Sequence, residues 1–342
     1  MNDLKVAIVG TGGIFRLGHG PAWRQIPRAR VIATCDIIKE RADQARAELG
    51  AEKSFSSLDE LLAGDDIDLV DICTPHPSHA ELAIKALRAG KHVICEKPMA
   101  LEIDDAARMI EAAKETGRHL YIGHTRRFDR RWVEVKEQLA AGRIGEPVCA
   151  RWNERSWAGF TGDNWRWDPQ NGGVLMDLGV HVADLLAWFF ESEATEVYTK
   201  GLSVRAEARK QGCFDFAIVQ VGFSGGRQGL MELSWAHPKE YAPFYSSLEI
   251  IGTKGKLTLT DRESAPLLVI KGGTEVPRYS PLLSTFPESF VGELAHFIDG
   301  ISRAVAPRIT LKDAYCAVEV IAKALESAAT GQPISIRGGA AC

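Results

Sequence analysis

Short apolar runs alternate with helical stretches over the first 122 residues, and this alternation limits the possible folds more than any other feature. Strands are predicted at 5–9, 30–35, 69–73, 92–95 and 119–122, with helices at about 21–26, 39–49, 57–63, 78–89 and 103–116. Strands that alternate with helices pair in parallel, because each helix carries the chain back to the same end of the sheet. We therefore expect an α/β domain with a doubly wound parallel sheet over residues 1–122.

The order of elements changes in residues 123–342. A basic helix is predicted at 128–141, and further helices at about 287–304 and 311–329. Strands follow one another at 147–155, 196–203, 213–223, 226–235, 244–251, 255–260 and 266–270. Successive strands with short turns pair in antiparallel fashion. This half should be an α+β domain with a large, mostly antiparallel open sheet.

The composition narrows the class of protein. The chain has 45% hydrophobic and 25% charged residues with a net charge of −4, which gives no basic surface for nucleic acid or an anionic membrane. The apolar run at 180–190 is interrupted by His181 and Asp184 and is too short to span a membrane. Seven cysteines without a Cys-x-x-Cys pair, and a strand that follows the first residues directly, favour reduced thiols in a cytoplasmic protein without a signal peptide.

A glycine-rich turn follows the first predicted strand and reads Gly10-Thr-Gly12-Gly13-Ile14-Phe15. Glycines at such a turn let the backbone bend tightly and approach a pyrophosphate at the N-terminus of the next helix. Phe15 stands where a third glycine is usual. We therefore expect the following helix, predicted to open near residues 20–21, to pack less closely on the strand.

Asp36 ends the second predicted strand, 24 residues after Gly12. A carboxylate at this place can accept hydrogen bonds from the ribose hydroxyls of NAD and would repel the 2′-phosphate of NADP. Ile37 and Ile38 follow it and offer no cation for that phosphate. The sequence therefore predicts NAD as the cofactor, with NADP disfavoured.

Two further strands end in polar motifs, Thr74-Pro75-His-Pro-Ser-His79 and Glu96-Lys97-Pro98. Open α/β sheets bind ligands at the carboxyl ends of their strands. Pro98 disfavours a helical conformation at Lys97, so this lysine should stand at the rim and donate to a substrate hydroxyl. His76 and His79 have the spacing of metal ligands, but no third ligand is evident, and no metal is predicted.

Asp177, His181 and Asp184 lie four and then three residues apart in an apolar stretch that begins at Gly172-Gly173. In a helix this spacing places all three on one stripe, with Asp177 expected nearer the imidazole than Asp184. A carboxylate one turn from a histidine orients the ring and raises its basicity, as a general base requires. The alternative is a capped amphipathic helix with a surface histidine.

Five of the eight tryptophans lie between 132 and 167, interleaved with arginines. Aromatic faces and guanidinium groups suit a hydroxyl-rich ring, although at least half of these side chains are expected to fill the core. Trp165 and Arg166 are the best candidates for substrate or nicotinamide contact, and Trp235 and His237 are weaker ones. The five residues are Trp132, Trp152, Trp157, Trp165 and Trp167.

Taken together, these motifs resemble the glucose–fructose oxidoreductase / inositol dehydrogenase family of NAD(P)-dependent oxidoreductases over essentially the whole chain. They are Gly10-x-Gly12, Thr74-Pro75 with His79, Glu96-Lys97-Pro98, Arg127-Phe128, Trp165-Arg166 and Gly172-Gly173-x-x-x-Asp177-x-Gly179-x-His181-x-x-Asp184. Departures from the family pattern are Phe15, His76 and Asn171. The resemblance implies a Rossmann domain and a catalytic set of Lys97, Asp177 and His181. It also implies a homodimer or homotetramer formed through the second sheet.

The site predictions complete this interpretation. Predicted cofactor contacts are Gly10, Gly12, Gly13, Ile14, Phe15, Asp36, Thr74, Pro75, His79, Glu96, Lys97 and Arg166. Predicted substrate contacts are Lys97, His124, Arg127, Trp165, Asp177 and His181.

The expected activity is oxidation of a secondary or anomeric hydroxyl of a sugar or cyclitol, with His181 and Lys97 roughly within 8 Å of each other so that they share one hydroxyl. Two alternatives are a regulator that binds NAD(P) without turnover, and a reductase of a non-sugar substrate such as a pyrrole or a trans-dihydrodiol. An intact Lys97, Asp177 and His181 disfavours the first, and Arg127 and Arg166 disfavour the second.

Overall fold

A computed structural model of the chain describes residues 3–64, 66–156, 164–237, 244–260, 267–270, 274–275 and 286–336. The chain forms two compact units, of which the first comprises residues 1–129 with 284–314, and the second residues 130–283 with 315–342. The sequence prediction placed a single boundary at 122/123 and did not include the return of residues 284–314 to the first unit.

The helices are α1 (Gly20–Trp23), α2 (Lys39–Leu49), α3 (Leu58–Ala63), α4 (His79–Arg88), α5 (Ile103–Thr116), α6 (Arg130–Ala140), α7 (Val180–Phe190), α8 (Ala206–Gln211), α9 (Phe286–Arg303) and α10 (Leu311–Thr330). The strands are β1 (Leu4–Val9), β2 (Ala29–Cys35), β3 (Lys53–Phe55), β4 (Leu69–Ile72), β5 (His92–Glu96), β6 (Leu120–Gly123), β7 (Pro147–Ser156), β8 (Ala194–Leu202), β9 (Phe216–Phe223), β10 (Gln228–Ser234), β11 (Phe244–Gly252), β12 (Gly255–Thr260), β13 (Leu267–Ile270), β14 (Thr274–Glu275) and β15 (Ile334–Ser335).

The first unit contains a parallel sheet with the strand order β3-β2-β1-β4-β5-β6. The order reverses between β1 and β4, and this switch point is where doubly wound sheets bind nucleotides. The fold prediction for this half is therefore confirmed. The short strand β3 was not predicted.

The return of α9 to the first unit follows from its apolar stripe. Phe290, Leu294, Phe297 and Ile298 recur at the spacing of one helix face, and each is at most 1% exposed. They belong to the same buried cluster as Phe15 and other side chains of β1, α1, β4 and β6. The core of the nucleotide-type sheet is thus completed by a helix from late in the chain.

The second unit contains a nine-stranded sheet in the order β14-β13-β12-β11-β7-β10-β9-β8-β15. Among these pairs, β7–β10 is parallel and the others are antiparallel. The prediction of a mostly antiparallel sheet is confirmed. Along β9 and β10, buried and more exposed residues alternate, so one face packs inward and the other remains open.

One helix among the described residues, Pro169–Phe190, is long and apolar enough to cross a membrane, but 83% of its most apolar window is buried inside the molecule, as in a core helix. Cys35, Cys73, Cys95, Cys149 and Cys213 are free thiols, as expected. Cys316, on α10, is disulfide-bonded, so the expectation of reduced cysteines does not hold at that position.

Candidate active site

The glycine-rich turn of the first unit has two different reasons for its glycines. Gly10 has φ +89°, and a Cβ there would lie 2.8 Å from the carbonyl group of Cys73 and from Thr74. At Gly12 and Gly13 a Cβ would meet no atom within 4 Å. Gly10 therefore permits close packing of β1 on β4, while the open space beside Gly12 and Gly13 fits the approach of a pyrophosphate.

The helix that follows this turn begins at Gly13, so its predicted opening near Gly20 was too late. It runs first through a π-helical turn, Phe15–His19, and then into α1. Phe15 is 1% exposed and fills the core. Close packing in this region comes instead from Gly18, where a Cβ would lie 2.7 Å from the ring of Phe290.

Asp36 is 8% exposed and fixed by main-chain and side-chain donors. Its Oδ2 accepts hydrogen bonds from the Thr11 N–H at 2.8 Å and the Thr11 hydroxyl at 3.0 Å, and its Oδ1 accepts one from the Ile38 N–H at 2.9 Å. These hydrogen bonds hold the glycine-rich turn to the acidic end of β2.

Two basic side chains close in sequence to this site have acceptors of their own. Arg16 donates to Gln44 at 2.9 Å and lies 3.8 Å from Glu48, and Lys39 contacts Asp43 at 2.5 Å. Because Arg16 and Lys39 contact these acceptors, the charged group at the end of β2 is the Asp36 carboxylate. A carboxylate there suits the ribose hydroxyls of NAD better than the 2′-phosphate of NADP.

His79 connects the turns that follow β4 and β5. Its ring nitrogens lie 2.9 Å from the Thr74 carbonyl oxygen and 2.8 Å from that of Pro98, and the ring is fully buried. Burial lowers the pKa of His79. The peptide bond between Lys97 and Pro98 is cis. His79 therefore holds the two turns together. Its contact with the cofactor stays a prediction.

A buried polar cluster that sequence reasoning missed contacts the main chain of Lys97. The His19 Nε2 is 3.0 Å from Glu96 Oε1, and the His19 Nδ1 is 2.8 Å from Asp71 Oδ2. Asp71 also accepts from the Trp23 indole N–H at 2.7 Å, while Glu96 Oε2 accepts from the Lys97 main-chain N–H at 3.0 Å. Burial alone would lower the pKa of His19, but Asp71 raises it well above its usual value, which favours the imidazolium form of the ring.

Glu293, on α9, faces the same cluster and is fully buried. Burial, together with the charges of Glu96 and Asp71, raises the pKa of its carboxyl well above the usual value. Among the residues that the structure describes, neither oxygen has a hydrogen-bond partner of ordinary geometry. Hereafter the His19 cluster means His19, Asp71, Glu96 and Glu293.

Part of this region has the ligand types of a metal site. Side-chain atoms of His19, Asp71 and Cys73 lie within 4.8 Å of one another. However, burial raises the pKa of the Cys73 thiol to about 12, and both ring nitrogens of His19 face carboxylates. The group is therefore better described as a hydrogen-bonded cluster.

Arg127 and His124 lie in the interior of the first unit. The Arg127 guanidinium is 3% exposed, contacts Asp313 at 3.4 Å and donates to the Arg308 carbonyl oxygen at 3.0 Å. Burial alone would raise the pKa of Asp313, but Arg127 lowers it. His124 is fully buried. These contacts join Arg308 and the first turn of α10 to the segment that follows β6. Substrate contact by Arg127 or His124 stays a prediction.

In the second unit, the predicted catalytic helix is present, with a π-helical turn that was not predicted. Asp177 lies in this turn, Leu175–Gly179, and His181 is the second residue of α7. Because the wider turn lies between them, a regular four-residue helical spacing does not describe the pair. Arg166 joins the group, since its Nε lies 3.7 Å from Asp177 Oδ2 and its guanidinium lies 4.4 Å from the centre of the Trp165 ring.

The glycines of this motif allow close packing within the second unit. A Cβ at Gly173, which has φ +54°, would lie 2.5 Å from the Phe214 carbonyl oxygen. A Cβ at Gly179 would lie 2.9 Å from Ile321 and Leu233. Packing therefore explains why glycine stands at positions 173 and 179 of the motif, independently of any catalytic role.

Most of the tryptophans are core residues, as expected. Trp132, Trp152 and Trp167 are 1% exposed and Trp235 is 2% exposed. The Trp132 and Trp152 rings lie 4.5 Å apart, and Trp167 meets Trp235 edge-on at 5.8 Å. The His237 Nδ1 lies 2.9 Å from the Ser234 hydroxyl, and Trp157 falls outside the described residues.

A glycine-rich turn at the switch point of a parallel sheet, joined to an acidic residue at the end of β2, defines a dinucleotide-binding oxidoreductase domain. Residues 4–124 match the model of the oxidoreductase family with an NAD-binding Rossmann fold, and residues 132–258 match the GFO/IDH/MocA C-terminal domain. The chain belongs to the GFO/IDH/MocA family of NAD-binding oxidoreductases. The predicted family, cofactor and enzyme class are therefore confirmed.

Individual relatives match along nearly the whole chain. This chain is 30% identical to the myo-inositol 2-dehydrogenase of Thermotoga maritima, over 91% of this chain and 92% of the relative. It is 29% identical to the scyllo-inositol 2-dehydrogenase (NAD(+)) of Bacillus subtilis, over 98% and 97%. A solved oxidoreductase from Agrobacterium radiobacter in complex with NAD+, L-tartaric acid and magnesium is 25% identical with a TM-score of 0.87, covering 98% of each chain.

Proposed function

We propose that the protein oxidises a secondary or anomeric hydroxyl of a sugar or cyclitol with NAD+, using Lys97, Asp177 and His181. Bound NAD+ supplies the acceptor for the hydride that leaves the substrate carbon. The names of the inositol dehydrogenases above support a polyhydroxylated substrate.

The protein's own residues remove the hydroxyl proton and stabilise the charge that develops on the oxygen. His181 removes the hydroxyl proton, and Asp177 favours the imidazolium that results. Lys97 donates to the same oxygen and shares the charge of the developing alkoxide. Arg166, paired with Asp177 and stacked on Trp165, orients that carboxylate.

The observation that carries this proposal is the placement of Asp177 and His181 in a segment whose other residues, apart from the buried Asp184, are apolar or glycine. Every described neighbour from Leu175 to Leu186 is buried, whereas the Asp177 side chain is 17% exposed and His181 is 9% exposed. A helix that only packed would gain nothing from a carboxylate and an imidazole at these positions.

The test is an assay of NAD+ reduction with a panel of inositols, aldoses and anhydrosugars. We expect turnover of at least one compound, and Lys97→Ala or His181→Ala should lower kcat by roughly a hundredfold or more while NAD affinity changes only a few-fold. Lys85→Ala, which removes a half-exposed lysine paired with Asp59, is the matched control. Near-normal turnover of either site variant would refute the catalytic set, and NAD binding without any turnover would favour the regulator.

We also propose that the open face of the nine-stranded sheet joins copies of this chain into a homodimer or homotetramer. Ile218, Leu230 and Ile251 share this face by strand register and are 46%, 41% and 37% exposed. Leu230→Lys should lower the mass measured by light scattering, whereas Val305→Lys, at an exposed apolar residue of the first unit, should not. A monomeric wild-type protein would refute the proposal.

A further inference from the structure

We propose that His19 is a positioning residue for the reaction, because it fixes the Glu96 carboxylate that in turn holds the main chain of Lys97. The inference rests on the proposed role of Lys97 as the group that contacts the substrate oxygen. All the contacts that carry it lie within the first unit.

The geometry forms a continuous chain of hydrogen bonds from the π-helical turn to the end of β5. His19 is the last residue of that turn and is fully buried. Its Nε2 lies 3.0 Å from Glu96 Oε1, and Glu96 Oε2 accepts from the Lys97 N–H at 3.0 Å. Each oxygen of one carboxylate therefore has its own donor, and the position of the first donor determines how the second oxygen meets Lys97.

The charges around His19 explain why an imidazolium is needed there. Asp71 faces it from β4, Glu96 from β5 and Glu293 from α9, and the Cys73 thiol lies beside it at the end of β4. Carboxylates this deep in a core are costly unless a cation or other donors lie beside them. Without His19, Glu96 Oε1 would lose its donor, and nothing on that side would fix how Glu96 Oε2 meets the Lys97 N–H.

Trp23 provides a way to separate positioning from stability. Its indole N–H donates to the same Asp71 oxygen that His19 contacts, at 2.7 Å, and it is 4% exposed in the same core. None of its described hydrogen bonds reaches Glu96. Trp23→Phe therefore weakens the cluster on the Asp71 side and leaves the path from His19 to Lys97 in place.

The first measurement is hydrogen exchange at the Lys97 amide in the full-length protein, followed by mass spectrometry of a peptide that contains it. His19→Gln, which removes the cation, should raise the exchange rate of this amide about tenfold or more, whereas Trp23→Phe should leave it within about twofold of wild type. If His19→Gln does not fold, Glu96→Gln keeps the side-chain volume and is expected to give the same rise. An unchanged rate, or an equal rise in Trp23→Phe, overturns the proposal.

The second measurement is a double-mutant cycle of His19→Gln and Lys97→Ala, with NAD+ and myo-inositol as the probes. His19→Gln alone should lower kcat about ten- to a hundredfold with little change in KM, and the same change in the Lys97→Ala background should have almost no further effect. Independent, multiplicative losses overturn the positioning role even if Lys97 is essential. Normal turnover of Lys97→Ala would instead refute the proposed function, and the exchange rates would still decide whether His19 holds this segment.

Discussion

Replacing Glu293 by glutamine should change how the stability of the protein depends on pH. The folded protein keeps a proton on this carboxyl that the unfolded chain releases above about pH 4.3, since the pKa of Glu293 is raised by burial and by Glu96 and Asp71. Stability must therefore fall as pH rises between the unfolded and folded pKa values. Linkage sets the slope at about 1.4 kcal/mol per pH unit for one proton, and Glu293→Gln, which binds no proton, should lose that slope.

The window from about pH 5.5 to 6.5 isolates Glu293 from its neighbour His19. The His19 pKa is also raised, so its stabilising contribution is fully present below the unfolded value of about 6.5 and is lost only at higher pH. Within this window the wild-type free energy of unfolding should therefore fall with rising pH relative to that of Glu293→Gln, by up to about 1.4 kcal/mol per pH unit.

The assay is urea unfolding at three pH values in the window, followed by tryptophan fluorescence. Glu288→Gln is the matched control, because Glu288 is exposed in the first turn of the same helix and the substitution is identical. Its pH slope should equal that of the wild type. Parallel slopes for wild type and Glu293→Gln would show that the buried carboxyl does not hold a proton and would refute the description of the His19 cluster.

Asp36 should set a preference for NAD over NADP of at least about tenfold in kcat/KM, about 1.4 kcal/mol, and Asp36→Ala should narrow it; equal use of both by the wild type would contradict this. Gly18→Ala should lower stability by about 1–3 kcal/mol in thermal unfolding, because the added methyl group meets the buried ring of Phe290, and an unchanged Tm would contradict the packing argument. Asp313→Asn should destabilise the protein at pH 7, with a difference from wild type that shrinks as pH falls, because Arg127 lowers the folded pKa of Asp313 and the ion pair is lost on protonation. Urea unfolding at pH 7 and pH 4 checks this, and a difference independent of pH would be the contrary result.

The sequence predicted elements well where an apolar run marks a strand or a glycine ends a helix, as Gly50 and Gly117 do. The prediction at 30–35 corresponds to β2 (Ala29–Cys35), and the helices at 39–49 and 103–116 match α2 and α5. The three-residue strand β3 was missed, because Lys53–Phe55 is too short to show a pattern and forms only through its pairing with β2. The membership of α9 in the first unit was also missed, since periodicity shows that a helix has an apolar face and not which core that face joins.

The candidate site shows the same limit. Gly10 and Asp36 could be located because local turn chemistry and strand ends require residues of those types. The His19 cluster could not, since its hydrogen bonds join residues 52 and 77 positions apart. One signal was present, namely Asp71 inside the buried apolar strand β4, where a charged side chain requires partners from elsewhere in the fold.

The late return of α9 has a consequence for how the protein is made. A ribosome that has released residue 129 has produced all six strands of the first sheet but not the helix that covers Phe15 and Tyr121. At about 5–20 residues per second, the missing side chains Phe290 and Phe297 follow only after roughly ten to thirty seconds. During that interval the nascent chain exposes an apolar surface of the kind that chaperones bind, and residues 130–283 of the second unit must emerge before the nucleotide-binding core can close.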